Sequence, residues 1–479
     1  MSLLDTIYAG VGGSNDPYAG DTYRLVDNND LVAVLQTPTL WGTQPNSTAY
    51  YTGPAPAGQN LVDAIGTLIR SASSVVDIAT LAPFPDGQFL AAIKSALLDR
   101  ARNNVPLLVR VHAGFHPAAL ETYSGASAVA NLLAALTDDL PANAPLTVAV
   151  SGALFSLVKK SWNHGKVVAV DGREVIFGGH NLWAADYLGY APVHDLSLQV
   201  RGTAAEAAHV FCDHLWDFVG KWYSSINPAT RVWSQVWQQG QVTSGVPRKR
   251  PSSVAPGATG TLRAMPVARM GYGVVPPVPS GTDQVSNLAK VEAFKAATTS
   301  IRLSQQDLAF SIRGAVSDWL TFADEVDEQV IAALGGALDR GVDVFVVLSG
   351  RHAKSGGGNP YANLGGAATR QLLVEWFRAV DQMTGPRLAA MLSHLHMREL
   401  HTVAGNFDPW KQGLDERVQA NHAKCYIIDD QVAYVGSDNL YKCELAEFGM
   451  LIEDPAALQQ LLTSYWGPLW NNAHPVVAS

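Results

Sequence analysis

Cysteine is scarce in this chain. Cys212, Cys425 and Cys443 are three among 479 residues, an odd number at spacings that suit neither a disulfide framework nor a metal knuckle. They read as free, mostly buried thiols. Charge is scarce too, at 16% against 47% hydrophobic residues, which excludes a disordered chain and fits a large buried interior. The charge present leans acidic, with a net of -9, so the field of the whole molecule repels polyanions and counts against a nucleic-acid partner. No apolar run reaches the roughly 18 residues that a membrane-spanning helix needs. Met1 to Asn28 shows no charged segment leading into an apolar one, so no signal peptide is read there. Nowhere are carboxylates spaced like the ligands of a metal cluster, and none is assigned to a metal.

What the chain does contain is a repeated stretch. Trp162-Asn-His-Gly-Lys-Val-Val-Ala-Val-Asp-Gly-Arg-Glu-Val-Ile-Phe-Gly-Gly-His-Asn-Leu-Trp183 returns as Ala420-Asn-His-Ala-Lys-Cys-Tyr-Ile-Ile-Asp-Asp-Gln-Val-Ala-Tyr-Val-Gly-Ser-Asp-Asn-Leu-Tyr441. Both copies read H-x-K-x4-D-x6-G-[G/S]-x-N. One His-x-Lys arises freely by chance; two copies agreeing at His, Lys, Asp, Gly and Asn do not.

The spacing has a physical reading. His164 and Lys166 are two apart, so on a strand they share a face, and Asp171-Gly172 suits a tight hairpin turn. With Val170 facing Arg173 across that turn, Gly179 falls opposite His164 and Asn181 opposite Trp162, so Asn181 joins the His164 and Lys166 face. The same count around Asp429-Asp430 sets Ser437 opposite His422 and Asn439 beside His422 and Lys424. Asp171 and Asp429 fall in the turns and read as structural. Two such hairpins facing each other would enclose a phosphate-sized anion. His180 points away by the same parity, and His112, His116, His394, His396 and His401 read as structural or surface groups.

The surrounding pattern is also duplicated. Helical spacing at Leu61 to Ser71 and Phe89 to Arg102 alternates with strands at Ser74 to Leu81 and Val105 to His112. The order returns as Val285 to Thr299, Ile301 to Leu308, Val326 to Arg340 and Val342 to Ser349. After each motif come a strand (Asp195 to Val200; Phe448 to Ile452) and a Trp-bearing helix (Ala204 to Trp222; Pro455 to Trp470). The division expected is 1-240 for a first lobe, 241-281 for a Gly/Pro/Ser-rich linker containing Pro247-Arg-Lys-Arg-Pro251, and 282-479 for a second lobe. Residues 1 to 60, with Gly13, Pro54 and Pro56 among their turn formers, read as an irregular arm carrying a short strand at Leu31 to Leu35. Arg351 to Thr402 reads as an extra stretch of the second half, opening on a Gly-rich loop placed to wall the site.

The paired motif resembles the HKD motif of the phospholipase D superfamily, and its first copy, with Gly-Gly-x-Asn and a following Trp, is most similar to the bacterial Streptomyces-type branch. The resemblance implies an α/β fold of two pseudo-twofold lobes, each a mixed sheet flanked by helices, with the active site at their interface. It implies that His164 forms a phosphohistidine, that His422 protonates the leaving group and then activates water, and that Lys166, Lys424, Asn181 and Asn439 hold the nonbridging oxygens. Acidic residues in the strands after the motifs orient the histidines in that family, a role carried here to Asp195 and Glu447. Trp183, Tyr187 and Tyr441 match aromatic positions lining its lipid entrance; Gly179 stands where many members have serine. With two lysines on the phosphate, neither metal nor cofactor is required.

The expected activity is hydrolysis of a glycerophospholipid such as phosphatidylcholine to phosphatidic acid and a headgroup alcohol at a membrane or micelle surface, with transphosphatidylation. The alternatives are a phosphatidylserine or cardiolipin synthase, a nuclease, or a lipid-binding protein with a decayed site. Cardiolipin synthases usually carry spanning helices that this chain lacks, and a decayed site requires a lost motif residue, of which there is none. A monomer is expected, secreted by resemblance although no signal peptide is read; a cytoplasmic protein is the alternative.

Overall fold

The computed structural model describes residues 1–12, 21, 23–39, 41–45, 58–117, 125–225, 229–252, 260–274, 284–310, 325–362, 364–379, 385–405 and 409–476. Gly13, Pro54 and Pro56 of the expected arm, and 253–259 and 275–281 of the expected linker, lie outside them.

Valine- and leucine-rich runs supply the strands, since β-branched side chains pack well on a pleated surface buried from both sides. In the first half Val75–Leu81, Leu107–Gly114 and Leu146–Ser156 lie parallel. The motif hairpin, Val167–Val170 with Glu174–Gly178, pairs antiparallel on the other edge of Val75–Leu81, followed by Asp195–Arg201 and then Val26–Thr37. The second half repeats this order. Ser300–Gln305, Asp343–Leu348 and Leu395–Glu399 are parallel; the hairpin Lys424–Ile428 with Val432–Gly436 flanks Ser300–Gln305; Ala446–Glu453 and Leu262–Met270 complete the set. The two sheets join where Val26 pairs with Ala264 and Asn29 with Leu262.

Four expectations need correction. Among its described residues the arm is ordered at its start: Leu3–Val11 is a helix with a Ser2–Asp5 capping box, and its Leu4, Ile7 and Val11 pack into the core of the second half. The strand at Leu31 to Leu35 extends to Val26–Thr37, twelve residues, and joins the sheets. The linker reading fails at Leu262–Met270, a buried strand whose apolar residues outweigh the turn formers on either side. Nor is Arg351 to Thr402 extra. Its helix Gly365–Ala379 and strand Leu395–Glu399 occupy the places that Gly125–Thr137 and Leu146–Ser156 hold in the first half.

Helices Gln59–Arg70, Gly87–Arg102 and Gly125–Thr137 cover the outer face of the first sheet, and Val285–Ala296, Glu328–Asp339 and Gly365–Ala379 that of the second. Between the sheets lies a shared core where Phe448 meets Phe177 at 6.0 Å and Phe211 at 5.5 Å between ring centroids. Burying each such ring contributes about 1.5–3 kcal/mol, so the interface is a packed interior rather than a loose contact. No helix among the described residues is long and apolar enough to cross a membrane.

Candidate active site

Each motif hairpin is held by its turn aspartate. Asp171 and Gly172 (φ 54° and 65°) and Asp429 and Asp430 (φ 52° and 56°) adopt the left-handed conformation that a tight hairpin needs. The Asp171 carboxylate accepts from the backbone N–H and hydroxyl of Ser73 and Ser74 and from the N–H of Val75, all within 2.9 Å. Asp429 is met likewise by Thr298, Thr299 and Ser300. Burial pushes both carboxyls up, but these donors win and hold them below the usual carboxylate value.

The expected cross-strand register is off by one. The ladders resume at Val170 with Glu174 and Ile428 with Val432, leaving Arg173 and Gln431 as the extra residues that follow a left-handed turn. The pairs Gly179 with His164, Asn181 with Trp162 and Ser437 with His422 are therefore not ladder pairs. Asn181 and Asn439 reach the site because the chain leaves the strands after Gly178 and Gly436, and parity has no part in it.

The two histidines meet at the interface, with ring centroids 6.4 Å apart and planes at 81°. Each is anchored by the opposite half. The backbone N–H of His164 donates to Ala446 O, and that of His422 to His194 O, both at 2.7 Å. His164 Nδ1 lies 2.9 and 3.0 Å from the Glu447 carboxylate oxygens; His422 Nδ1 lies 2.8 Å from Asp195 Oδ2. Both carboxylates are fully buried. With Nδ1 engaged, Nε2 is the nitrogen left for chemistry in both rings.

The acids differ in their other partners. Glu447 accepts from the Ser437 hydroxyl, and the Arg269 guanidinium stands 3.7 Å away. Asp195 accepts from the Leu196 N–H and the Tyr187 hydroxyl, each at 2.8 Å. Tyr187 is thus not on the cavity wall as expected: its ring is fully buried, and its hydroxyl supplies to Asp195 what Ser437 supplies to Glu447.

Burial sets the protonation of the site. It lowers His164 to about 4 against the opposing pull of Glu447, and His422 well below its usual value, helped by Lys424 and Lys166. It lowers Lys166 to about 7 and Lys424 to about 8, and raises Asp195 to about 7. Two ammonium groups and two imidazoles crowded out of water repel protons, and an arriving phosphodiester anion reverses that balance. The side-chain oxygens of Asn181 and Asn439 are buried with no hydrogen-bond partner among the described residues.

A cavity of about 670 Å³ opens on this group, walled by His164, His422, Asn181, Trp183 and Tyr441. Lys166, Lys424 and Asn439 lie behind the wall, each at most 4% exposed. The Gly-rich loop lends Asn359 and Tyr361 to this wall, and sequence reasoning missed His116 and Gln306 there. Tyr361 packs edge-on against His422 at 4.8 Å, and both it and Asn359 bond the buried Asp186, which ties the Gly-rich loop to the first half. Asp438, Cys443 and Glu447 converge closely enough to hold a cation, but Arg269 and Lys290 already meet Asp438 at 2.9 and 3.0 Å. A cleft of about 920 Å³ at Gly172, the far end of the first hairpin, is lined by no histidine.

This fold, with one such imidazole from each half, is similar to that of the phospholipase D superfamily. Residues 311–467 match the family described as cardiolipin synthase, phospholipase D-like domain. The chain is 26% identical to the phospholipase D of Streptomyces antibioticus over 528 aligned positions, covering 99% of this chain and 88% of that one. Its structure is similar to that of phosphatidylserine synthase from Haemophilus influenzae Rd KW20, with a TM-score of 0.55 at 13% identity, covering 99% and 92% of the two chains.

Proposed function

We propose that this protein is a phospholipase D that cleaves glycerophospholipids such as phosphatidylcholine through a phosphohistidine on His164. The observation that carries the proposal is the pair of interfacial imidazoles, each held at Nδ1 by a buried acid of the other half. The neutral His164 Nε2 bonds to phosphorus as the bond to the headgroup oxygen breaks, and the proton on His422 Nε2 passes to the departing alkoxide. Neutral His422 then takes a proton from water, whose oxygen bonds to phosphorus as the phosphorus–nitrogen bond breaks. Phosphatidic acid leaves and both rings return to their starting state. A primary alcohol in place of that water yields the transphosphatidylation product.

The assignment of nucleophile and acid rests on the asymmetry of the two carboxylates. Glu447, beside Arg269, is suited to accept the His164 Nδ1 proton and leave its Nε2 lone pair free. Asp195, raised by burial to about 7 against the pull of Lys424 and bonded to the neutral Leu196 N–H and Tyr187 hydroxyl, shares a proton with His422, the ring that must hold one to give away. Lys166 and Lys424, with Asn181 and Asn439, bear on the nonbridging oxygens. The name of the Streptomyces antibioticus relative supports hydrolysis; a phosphatidylserine or cardiolipin synthase would share the first step and differ in the acceptor.

The test is choline release from phosphatidylcholine by wild type, His164→Ala and His422→Ala, with ethanol or serine added. Choline release lost in both variants, with phosphatidic acid and phosphatidylethanol formed by wild type, supports the proposal. Phosphatidylserine as the sole product assigns the protein to the synthases.

A further inference from the structure

Apolar side chains on a soluble surface are ordinarily single and scattered. Leu157 and Val158 are adjacent, 47% and 78% exposed, on the turn between strands Leu146–Ser156 and Ser161–Trp162. The backbone holds them out. The N–H of Leu157 donates to Ala229 O at 2.8 Å, that of Lys159 to Ser156 Oγ at 3.2 Å, and Lys160 sits at φ 51°. Val158, Lys159 and Lys160 line the same cavity as His164 and His422, as does Lys442. Lys159 is further placed by the Tyr272 ring, whose centroid lies 5.6 Å from its ammonium. Three lysines against one acid on that wall, Glu444, reverse locally the sign of a chain whose net charge is -9.

An apolar pair flanked by lysines at a cavity mouth has the chemistry of a membrane-interface anchor: the apolar groups enter the acyl boundary and the ammonium groups stay among anionic headgroups. The cavity behind it has Leu81, Trp162, Trp183 and Leu445 in its wall, apolar groups suited to a substrate drawn from a bilayer. We propose that the Leu157–Lys160 turn docks the cavity mouth onto an anionic lipid bilayer. The inference rests on the phospholipid reading of the site, adding to it where the protein meets the membrane and which lipid charge draws it there. A free acidic protein is the other conceivable partner, and it would not need exposed side chains able to enter hydrocarbon. Val242, 55% exposed on Gln241–Ser244, has no lysine beside it in the chain and is a fitting control.

The experiment is flotation with phosphatidylcholine vesicles, with and without phosphatidylglycerol, in a His164→Ala background so that lipid is not consumed. Binding is expected to be stronger with phosphatidylglycerol. Leu157→Ser with Val158→Ser should weaken it about tenfold, as expected for losing one to two partly inserted side chains. Lys159→Gln with Lys160→Gln should remove most of the preference for anionic vesicles, about fivefold per lysine. Val242→Ser should bind as the parent does. With His164 restored, both turn variants should lose far more of their vesicle cleavage than of their cleavage of monomeric short-chain phosphatidylcholine. Turn variants that bind vesicles as the parent does, or a parent that binds no vesicles, overturn the inference. Turn-dependent binding without cleavage of either substrate keeps the docking surface and overturns the proposed function instead.

Discussion

A β-carbon on Gly179 would stand 2.0 Å from Oδ1 of Asp195. The second motif has Ser437 at the equivalent place, and its hydroxyl donates to Glu447. The halves therefore solve one problem in two ways: Ser437 reaches a glutamate from the motif itself, whereas Gly179 makes room for a shorter side chain's carboxylate, which takes its hydroxyl from Tyr187. Gly179→Ser is expected to push Asp195 off His422 and lower kcat by roughly tenfold to a thousandfold, with the second half unaltered. Steady-state kinetics beside a melting curve separate this from unfolding; wild-type kcat would contradict it.

The two hydroxyls should behave alike. Tyr187→Phe and Ser437→Ala each remove one hydrogen bond to a buried carboxylate, which costs about 1.5–3 kcal/mol, or roughly tenfold to a hundredfold in rate if the orientation of the histidine depends on it. Because neither residue is placed against substrate, kcat should fall with KM little changed. A rise in KM alone for Tyr187→Phe would return that residue to the substrate wall.

The pH profile follows from the burial of the site. His164, at about 4 in the free protein, must be neutral to attack, so kcat/KM should fall as pH drops through about 4. Lys166 at about 7, Lys424 at about 8 and the Asp195–His422 pair, its carboxyl at about 7, must keep their protons, so activity should also fall as pH rises through about 7 to 8. A plateau from neutral pH to pH 9 would contradict this assignment.

Asp171 supports the fold rather than the reaction. Asp171→Ala leaves five donors without their acceptor and is expected to cost about 2–4 kcal/mol, measured by denaturant unfolding. The native carboxyl lies below its unfolded value of about 3.9, so its stabilisation is complete above that pH and is lost as pH falls through the native value. Asp171→Asn should flatten that acid limb, and an unchanged limb would show that other carboxyls carry it.

The sequence made the duplication and the motif residues legible because both depend on local spacing. Helices Gln59–Arg70 and Gly87–Arg102 and strands Val75–Leu81 and Leu107–Gly114 fall within two residues of the expected bounds. What spacing could not carry was tertiary. The exchange of acids, Glu447 to His164 and Asp195 to His422, depends on how two remote hairpins cross. Leu262–Met270 was hidden by the turn formers around it, and Tyr187 by its match to an aromatic wall position. The one-residue error in register came from the bulges at Arg173 and Gln431, which a two-residue turn count omits.

The central claim is that His164 becomes covalently bonded to phosphorus. The direct measurement is a rapid denaturant quench at mildly alkaline pH, where a phosphorus–nitrogen bond survives, of wild type and His422→Ala during turnover of phosphatidylcholine, followed by peptide mass spectrometry. The account predicts a phosphatidyl adduct on the peptide holding His164 in wild type, and little or none in His422→Ala, which lacks the proton donor for the departing alkoxide. An adduct on His422, or choline release with no adduct on either histidine, would contradict it.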